Sequence, residues 1–135
     1  MNYYKVRKSI IYIIINLVLL IMISIVYGHA EKAASMYRIG MVYLYALSIN
    51  LLLFLFGLLI EYEKILVAFK NGFNINKILL SVAVVMLIIS CLPVGFAIPI
   101  NLRVGLFLSN RVIRYVLNIW SGILVARSFV IKTSN

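Results

Sequence analysis

The sequence predicts an all-α fold, a polytopic membrane protein in which four transmembrane helices form one bundle. Hydrophobic residues make up 65% of the chain and charged residues only 12%, with a mean hydropathy of +1.14. Soluble domains, by contrast, are about one-quarter charged. The apolar residues form four long runs, each near the roughly 20 residues that a helix needs to cross a bilayer. We therefore expect a single transmembrane domain over residues 1–135.

The first predicted span is residues 10–27, which carry no charge and follow a basic lead-in that contains Lys5, Arg7 and Lys8. A cleaved signal peptide is the alternative, because Gly28-His29-Ala30 resembles a small-x-small cleavage site. The apolar stretch is longer than the roughly 7–15 residues of a signal-peptide core, which favours a retained anchor.

The second predicted span is residues 39–60, an uncharged run dense in Leu and Phe. We expect a short polar connector before it, with Glu31, Lys32 and Arg38. In the connector after it, residues 61–77, apolar residues recur at helical spacing as far as Asn71-Gly72. This pattern predicts an interfacial helix that ends in a turn.

The third predicted span is residues 78–98, where Pro93 and Gly95 indicate a kink or an end near Pro93. The fourth is residues 104–126, which are long enough to span but contain Arg111 and Arg114. In the alternative topology, residues 100–114 form an amphipathic surface helix and only the part after Arg114 enters the bilayer.

The distribution of basic residues predicts that both termini are cytoplasmic, because Lys and Arg accumulate in cytoplasmic loops. With four spans, the cytoplasmic side carries eight of these residues and the other side three. The eight are Lys5, Arg7, Lys8, Lys64, Lys70, Lys77, Arg127 and Lys132, and the three are Lys32, Arg38 and Arg103. The net charge of +10 therefore favours anionic lipid headgroups as a partner, and we expect no nucleic acid.

The fourth span has a polar stripe along one side of the predicted helix, within an arc of roughly 100°. An arginine near mid-bilayer costs roughly 2.5–3.5 kcal/mol, and Glu31, Glu61 and Glu63 all lie in connectors. The stripe is therefore a candidate site for an anion or a lipid headgroup, with Asn16 of the first span as its polar seam partner. Its members are Arg103, Asn110, Arg111, Arg114, Asn118, Ser121 and Ser128, of which Arg103, Arg111, Arg114 and Asn118 are the candidate ligand-binding residues.

Two interpretations of the stripe stay open at this point. In one, Ser, Asn and Tyr hydrogen-bond between helices and the stripe is a packing seam. In the other, the intramembrane arginines line a functional cavity or pathway. A water-accessible crevice that reaches Arg114 favours transport, and a dry seam favours packing.

For function, we expect a small non-enzymatic membrane protein, an accessory or structural subunit that acts through helix–helix contacts as a homo-oligomer or in a larger complex. The alternative is a small transporter, flippase or pore that handles an anion or a lipid phosphate through Arg111 and Arg114. We expect no catalytic residues, metal site or cofactor, because no acid, base and nucleophile constellation is present. Frequent Ile, Asn, Tyr and Lys hint at a bacterial cell membrane.

Overall fold

The computed structural model describes residues 3–91 and 110–131. Helices contain 88% of these residues. The elements are, in order, α1 (Tyr3–Ser35), α2 (Ile39–Ile60), α3 (Tyr62–Asn71), β1 (Phe73–Ile75), α4 (Lys77–Cys91), α5 (Arg111–Ser128) and β2 (Phe129–Ile131). The chain divides into two compact units, Met1–Leu52 and Leu53–Asn135, and each is described by itself.

Two helices among the described residues are long and apolar enough to cross a membrane, Ile10–Ser35 and Ile39–Ile60. The second has the bounds predicted for span two. Along α1, the large apolar side chains are exposed around the helix, a distribution typical of a helix that lipid or another helix covers. These two helices support membrane association, and the four-helix bundle stays a prediction.

Helix α1 is longer than the first predicted span, because it continues eight residues beyond Tyr27 to Ser35. The expected connector residues Glu31 and Lys32 therefore lie in the last turns of α1. The physical reason is local, since the segment Ala30–Ala34 consists of Ala, Glu and Lys, which are among the strongest helix formers.

A tight turn joins α1 to α2. The N–H of Arg38 donates to the carbonyl of Ala33 (3.1 Å), and the N–H of Tyr37 donates to the carbonyl of Ala34 (3.1 Å). This pair of hydrogen bonds is the Schellman pattern, which satisfies the last carbonyls of a helix and needs a left-handed residue. Tyr37 occupies that position with a φ of 53°, where glycine is the usual residue.

Helix α3 and a short antiparallel ribbon lie in the second unit. Helix α3 ends at Asn71, and Gly72 has a φ of 77°, so the turn predicted at Asn71-Gly72 is present. The membrane-surface position of α3 stays a prediction. The ribbon was not predicted, and it pairs Phe73 with Ile131, Asn74 with Val130 and Ile75 with Phe129.

Three phenylalanine rings hold the ribbon against α3. Phe69 of α3 lies 5.1 Å from Phe73 of β1 and 5.9 Å from Phe129 of β2, measured between ring centroids, and Phe73 lies 5.3 Å from Phe129. These separations are within the range in which aromatic rings attract one another. The cluster therefore joins the start of α4 to the end of α5 in space.

Side-chain caps determine where α4 and α5 begin. The Asn76 side-chain oxygen accepts from the N–H of Ile78 (3.1 Å) and Leu79 (3.3 Å), which starts α4 one residue before the predicted span. The Asn110 side-chain oxygen accepts from the N–H of Val112 (2.9 Å), and Asn110 itself is extended. Such caps satisfy helix N–H groups that have no partner within the helix.

The extended Asn110 corrects the expected helix start at residue 104, because α5 begins at Arg111. Asn110 is therefore a cap and not a helical member of the stripe. The predicted kink at Pro93 and Gly95 lies outside the described residues, as do residues 92–98 of the third predicted span and residues 104–109 of the fourth.

The last part of α2 packs closely on α5 through two glycines. A Cβ on Gly57 would overlap the carbonyl oxygen of Ile119, and a Cβ on Gly122 would overlap the carbonyl oxygen of Phe54. The two backbones are therefore in direct contact, an approach that only residues without a side chain permit.

Candidate functional site

Arg114 binds the backbone of α4. Its Nε and Nη2 atoms both donate to the carbonyl oxygen of Ser90, at 2.9 Å and 2.6 Å. The guanidinium is half-buried. One main-chain carbonyl therefore receives two charge-assisted hydrogen bonds from this arginine.

Ser90 and Asn118 continue this polar contact between α4 and α5. The Ser90 hydroxyl lies 2.6 Å from Oδ1 of Asn118 and 2.8 Å from the carbonyl of Leu87, and its one proton can be donated to either. Nδ2 of Asn118 donates to the carbonyl of Arg114 (3.0 Å). We call Ser90, Arg114, Asn118 and Ser121 the α4–α5 seam.

The centre of the seam is buried. Ser90, Asn118 and Ser121 each have 0% of their surface exposed. The Ser121 hydroxyl donates to the carbonyl of Asn118 (2.7 Å), so the buried hydroxyl does not need an external partner. Buried polar groups are tolerated when they are hydrogen-bonded in this way.

Arg111 differs from Arg114 although both lie in the first turn of α5. Its side chain is exposed and outside the seam. Two cations in a first turn are unfavourable for the helix dipole, whose positive end is there. Of the two candidate arginines, Arg114 therefore packs in the seam, and Arg111 lies outside it. Arg103 lies outside the described residues.

Asn16 lies in the first unit, on α1. Its Nδ2 atom donates to the carbonyl of Tyr12 at 2.9 Å, and its Oδ1 atom is buried and has no hydrogen-bond partner among residues 3–91 and 110–131. The two units are described separately, so the pairing of Asn16 with the arginine stripe stays a prediction.

A second charged group, outside the predicted spans, connects α3 to the end of α5. Glu61 Oε2 lies 2.9 Å from Nζ of Lys64, and Glu61 Oε1 lies 2.7 Å from Nη2 of Arg127. Hydrogen bonds from Lys64 and then from Arg127 hold the pKa of the Glu61 carboxyl below its usual value of 4.5, against a smaller effect of burial in the opposite direction.

Sequence reasoning did not single out Ser90 or the Glu61–Arg127 pair. Ser90 carries a weak signal, since it is a hydroxyl residue in a strongly apolar run. No local signal identifies Arg127 as the partner of Glu61, because 66 residues separate them. Within residues 3–91 and 110–131, no three His, Cys, Asp or Glu side chains are placed to hold a metal.

Comparisons with models of protein families, with curated proteins and with solved structures each find no significant match to this chain.

Proposed function

We propose that this chain is a small non-enzymatic integral membrane protein, an accessory or structural subunit that acts through helix–helix contacts. In this proposal four transmembrane helices form the bundle, both termini are cytoplasmic and the membrane is a bacterial cell membrane. The observation that carries the proposal is the α4–α5 seam, which has a buried centre and in which the Ser90 carbonyl accepts two hydrogen bonds from Arg114. A polar stripe used for internal packing supports a structural role over a transport role.

The apolar surface of α1 supports a role in contacts with other molecules. Large aliphatic residues from Ile10 to Ile25 are about half-exposed on all sides of the helix. Lipid covers such a surface in a monomer, and another helix covers part of it in a complex. A homo-oligomer or a larger membrane complex is therefore the assembly that we propose.

Cysteine cross-linking in native membranes tests the helix–helix proposal. Cys91 is the chain's one cysteine, so a Cys91→Ser background allows single cysteines to be placed at each position from Ile13 to Ile21. A contact between two copies gives oxidative cross-links that recur every three or four residues, because only one helix face is at the interface. Photo-cross-linking probes at the same positions test for a different partner chain.

A monomeric species in native membranes, with no cross-link from any α1 position by either chemistry, contradicts the subunit proposal. The topology is tested in the same background with Ser134→Cys, which lies outside the described residues. Both cytoplasmic termini predict that an impermeant thiol reagent labels this cysteine only after the cells are lysed.

The alternative proposal is a small transporter, flippase or pore that handles an anion or a lipid phosphate through Arg111 and Arg114. One observation favours it: Arg111 is exposed in the first turn of α5, where an anion would be attracted both by the guanidinium and by the helix dipole. Fluorescent phosphatidylglycerol in proteoliposomes provides the test. Lipid scrambling above the protein-free rate, lost in Arg111→Gln, would support this alternative and overturn the purely structural role.

A further inference from the structure

A cavity of about 330 Å³ lies at the turn between α1 and α2, within the first unit. This volume is at the lower end of the roughly 300–1,000 Å³ typical of small-molecule sites. Its wall combines two basic side chains, Lys32 and Arg38, with the rings of His29 and Tyr45 and with apolar groups that include Ala33. None of the described residues that line it belongs to the α4–α5 seam.

The cavity has an uncompensated positive charge. Lys32 and Arg38 both line it, and the acid of this unit, Glu31, does not. The ion pairs among the described residues are those that Glu61 makes with Lys64 and Arg127. Two cations that share one cavity repel each other, and an anion between them removes that repulsion.

Backbone geometry holds the two cations together. The Schellman hydrogen bond from Arg38 to Ala33 folds the chain back onto the last turn of α1, where Lys32 lies. This turn places Tyr37 in the left-handed region, a conformation that costs a non-glycine residue on the order of 1 kcal/mol. Within the same lining, the His29 and Tyr45 rings are stacked, with centroids 6.0 Å apart and an interplanar angle of 20°.

We propose that this cavity binds the phosphate group of an anionic phospholipid. The inference rests on the membrane insertion of α1 and α2 in the proposed function. Both helices are of membrane-spanning length, so the turn between them lies at a bilayer surface, where lipid phosphates are concentrated. Lys32 and Arg38 supply the charge for the phosphate, and the methionine and tyrosine side chains of the wall supply apolar surface for the part of the lipid next to it.

Titration with phosphatidylglycerol, followed by native mass spectrometry of the purified full chain in detergent, tests the proposal. The variant Lys32→Gln/Arg38→Gln should bind the first lipid about thirtyfold more weakly, since each basic residue beside an anionic headgroup contributes about fivefold in affinity. The control variant Lys70→Gln/Lys77→Gln loses the same charge from exposed positions outside the cavity and should retain the first lipid. Equal affinity of the two variants would overturn the proposal.

A second variant separates the cavity from general surface charge. Ala33→Leu fills the cavity without a change of charge, and binding of the first lipid should fall at least fivefold. Unchanged binding in a variant with a normal helical circular dichroism spectrum would show that the cavity is not the site. If Ala33→Leu does not fold, the two charge variants still decide the matter, because Lys32 and Arg38 are exposed.

Two further measurements identify the source of the phosphate and test the premise that the chain is inserted in the membrane. Phosphatidylcholine, which has no net charge, should not compete for the first site, and neither should inorganic phosphate at the same concentration. Displacement of the lipid by inorganic phosphate would identify a soluble anion as the ligand and overturn the lipid assignment. Resistance of the wild-type chain to carbonate extraction from membranes is measured separately, so a failure of membrane insertion is not confused with a failure of lipid binding.

Discussion

Replacement of Arg114 by glutamine tests whether the arginine is a structural clamp. The side chain donates two hydrogen bonds, of 2.9 Å and 2.6 Å, to the Ser90 carbonyl. A hydrogen bond from a charged donor contributes roughly 1.5–3 kcal/mol. Because both bonds share one acceptor and the guanidinium is half-buried, we expect a joint contribution near the value for a single bond, about 2 kcal/mol.

Two effects reduce the loss in Arg114→Gln. The glutamine amide can restore one neutral hydrogen bond of about 1 kcal/mol if it reaches the carbonyl, and removal of a half-buried charge relieves part of its desolvation. The expected net destabilisation is therefore about 1 kcal/mol. Arg111→Gln is the matched control, because this exposed arginine lies in the same helical turn but outside the seam. The free energy of unfolding of this variant should differ from that of the wild type by no more than about 0.5 kcal/mol.

The assay is unfolding in mixed micelles with increasing sodium dodecyl sulfate, followed by the fluorescence of Trp120. The chain has one tryptophan and it lies on α5, so the signal reports the helix that carries both arginines. Equal unfolding midpoints in sodium dodecyl sulfate for Arg114→Gln and Arg111→Gln would show that the Arg114–Ser90 hydrogen bonds do not stabilise the fold. A higher midpoint for Arg114→Gln would show that desolvation of the charge outweighs its hydrogen bonds.

Three other predictions follow from the packing, the backbone and the charges. Gly122→Ala should destabilise the chain by about 1–3 kcal/mol in the same unfolding assay, because its Cβ overlaps the α2 backbone. Gly28→Ala, which meets open space, should be neutral or stabilising. Tyr37→Gly should stabilise the chain by about 0.5–1 kcal/mol, since glycine adopts a φ of 53° without strain, and a lower midpoint would contradict this. In the folded chain the pKa of Glu61 is below its usual value of 4.5. The ionised carboxylate therefore stabilises the fold fully above pH 4.5, and this stabilisation is lost as the pH falls through the lowered pKa. Glu61→Gln, which cannot ionise, should therefore show a smaller loss of stability between pH 6 and pH 3, and an unchanged pH profile would count against the ion pairs with Arg127.

The helical class, the span-length second helix and several element boundaries could be predicted from sequence alone. Helix α2 has the predicted bounds, 39–60, because hydropathy and length suffice to define an uncharged run of this kind. The turn at Asn71-Gly72 was also predicted, since glycine adopts positive φ values at low cost. These features depend on neighbours within one or two helical turns.

The predicted start of the fourth helix, residue 104, was wrong, because Asn110 caps a helix that begins at Arg111. Hydropathy does not show where within residues 104–126 a helix begins. The Asn110 cap begins a helix at Arg111, so Arg114 lies in the first turn of α5. Asparagine is a strong capping residue, but it is also common inside polar stripes.

The contacts that define the candidate site were decided by tertiary structure. The β1–β2 ribbon, the Arg114–Ser90 clamp and the Glu61–Arg127 ion pair each join residues that are far apart in the chain. Composition identified α1 and α2 as apolar helices because the free energy of transfer from water to lipid depends on the side chains of one segment. Which carbonyl accepts from an arginine depends instead on how two helices approach each other, and that geometry exists only once the chain has folded.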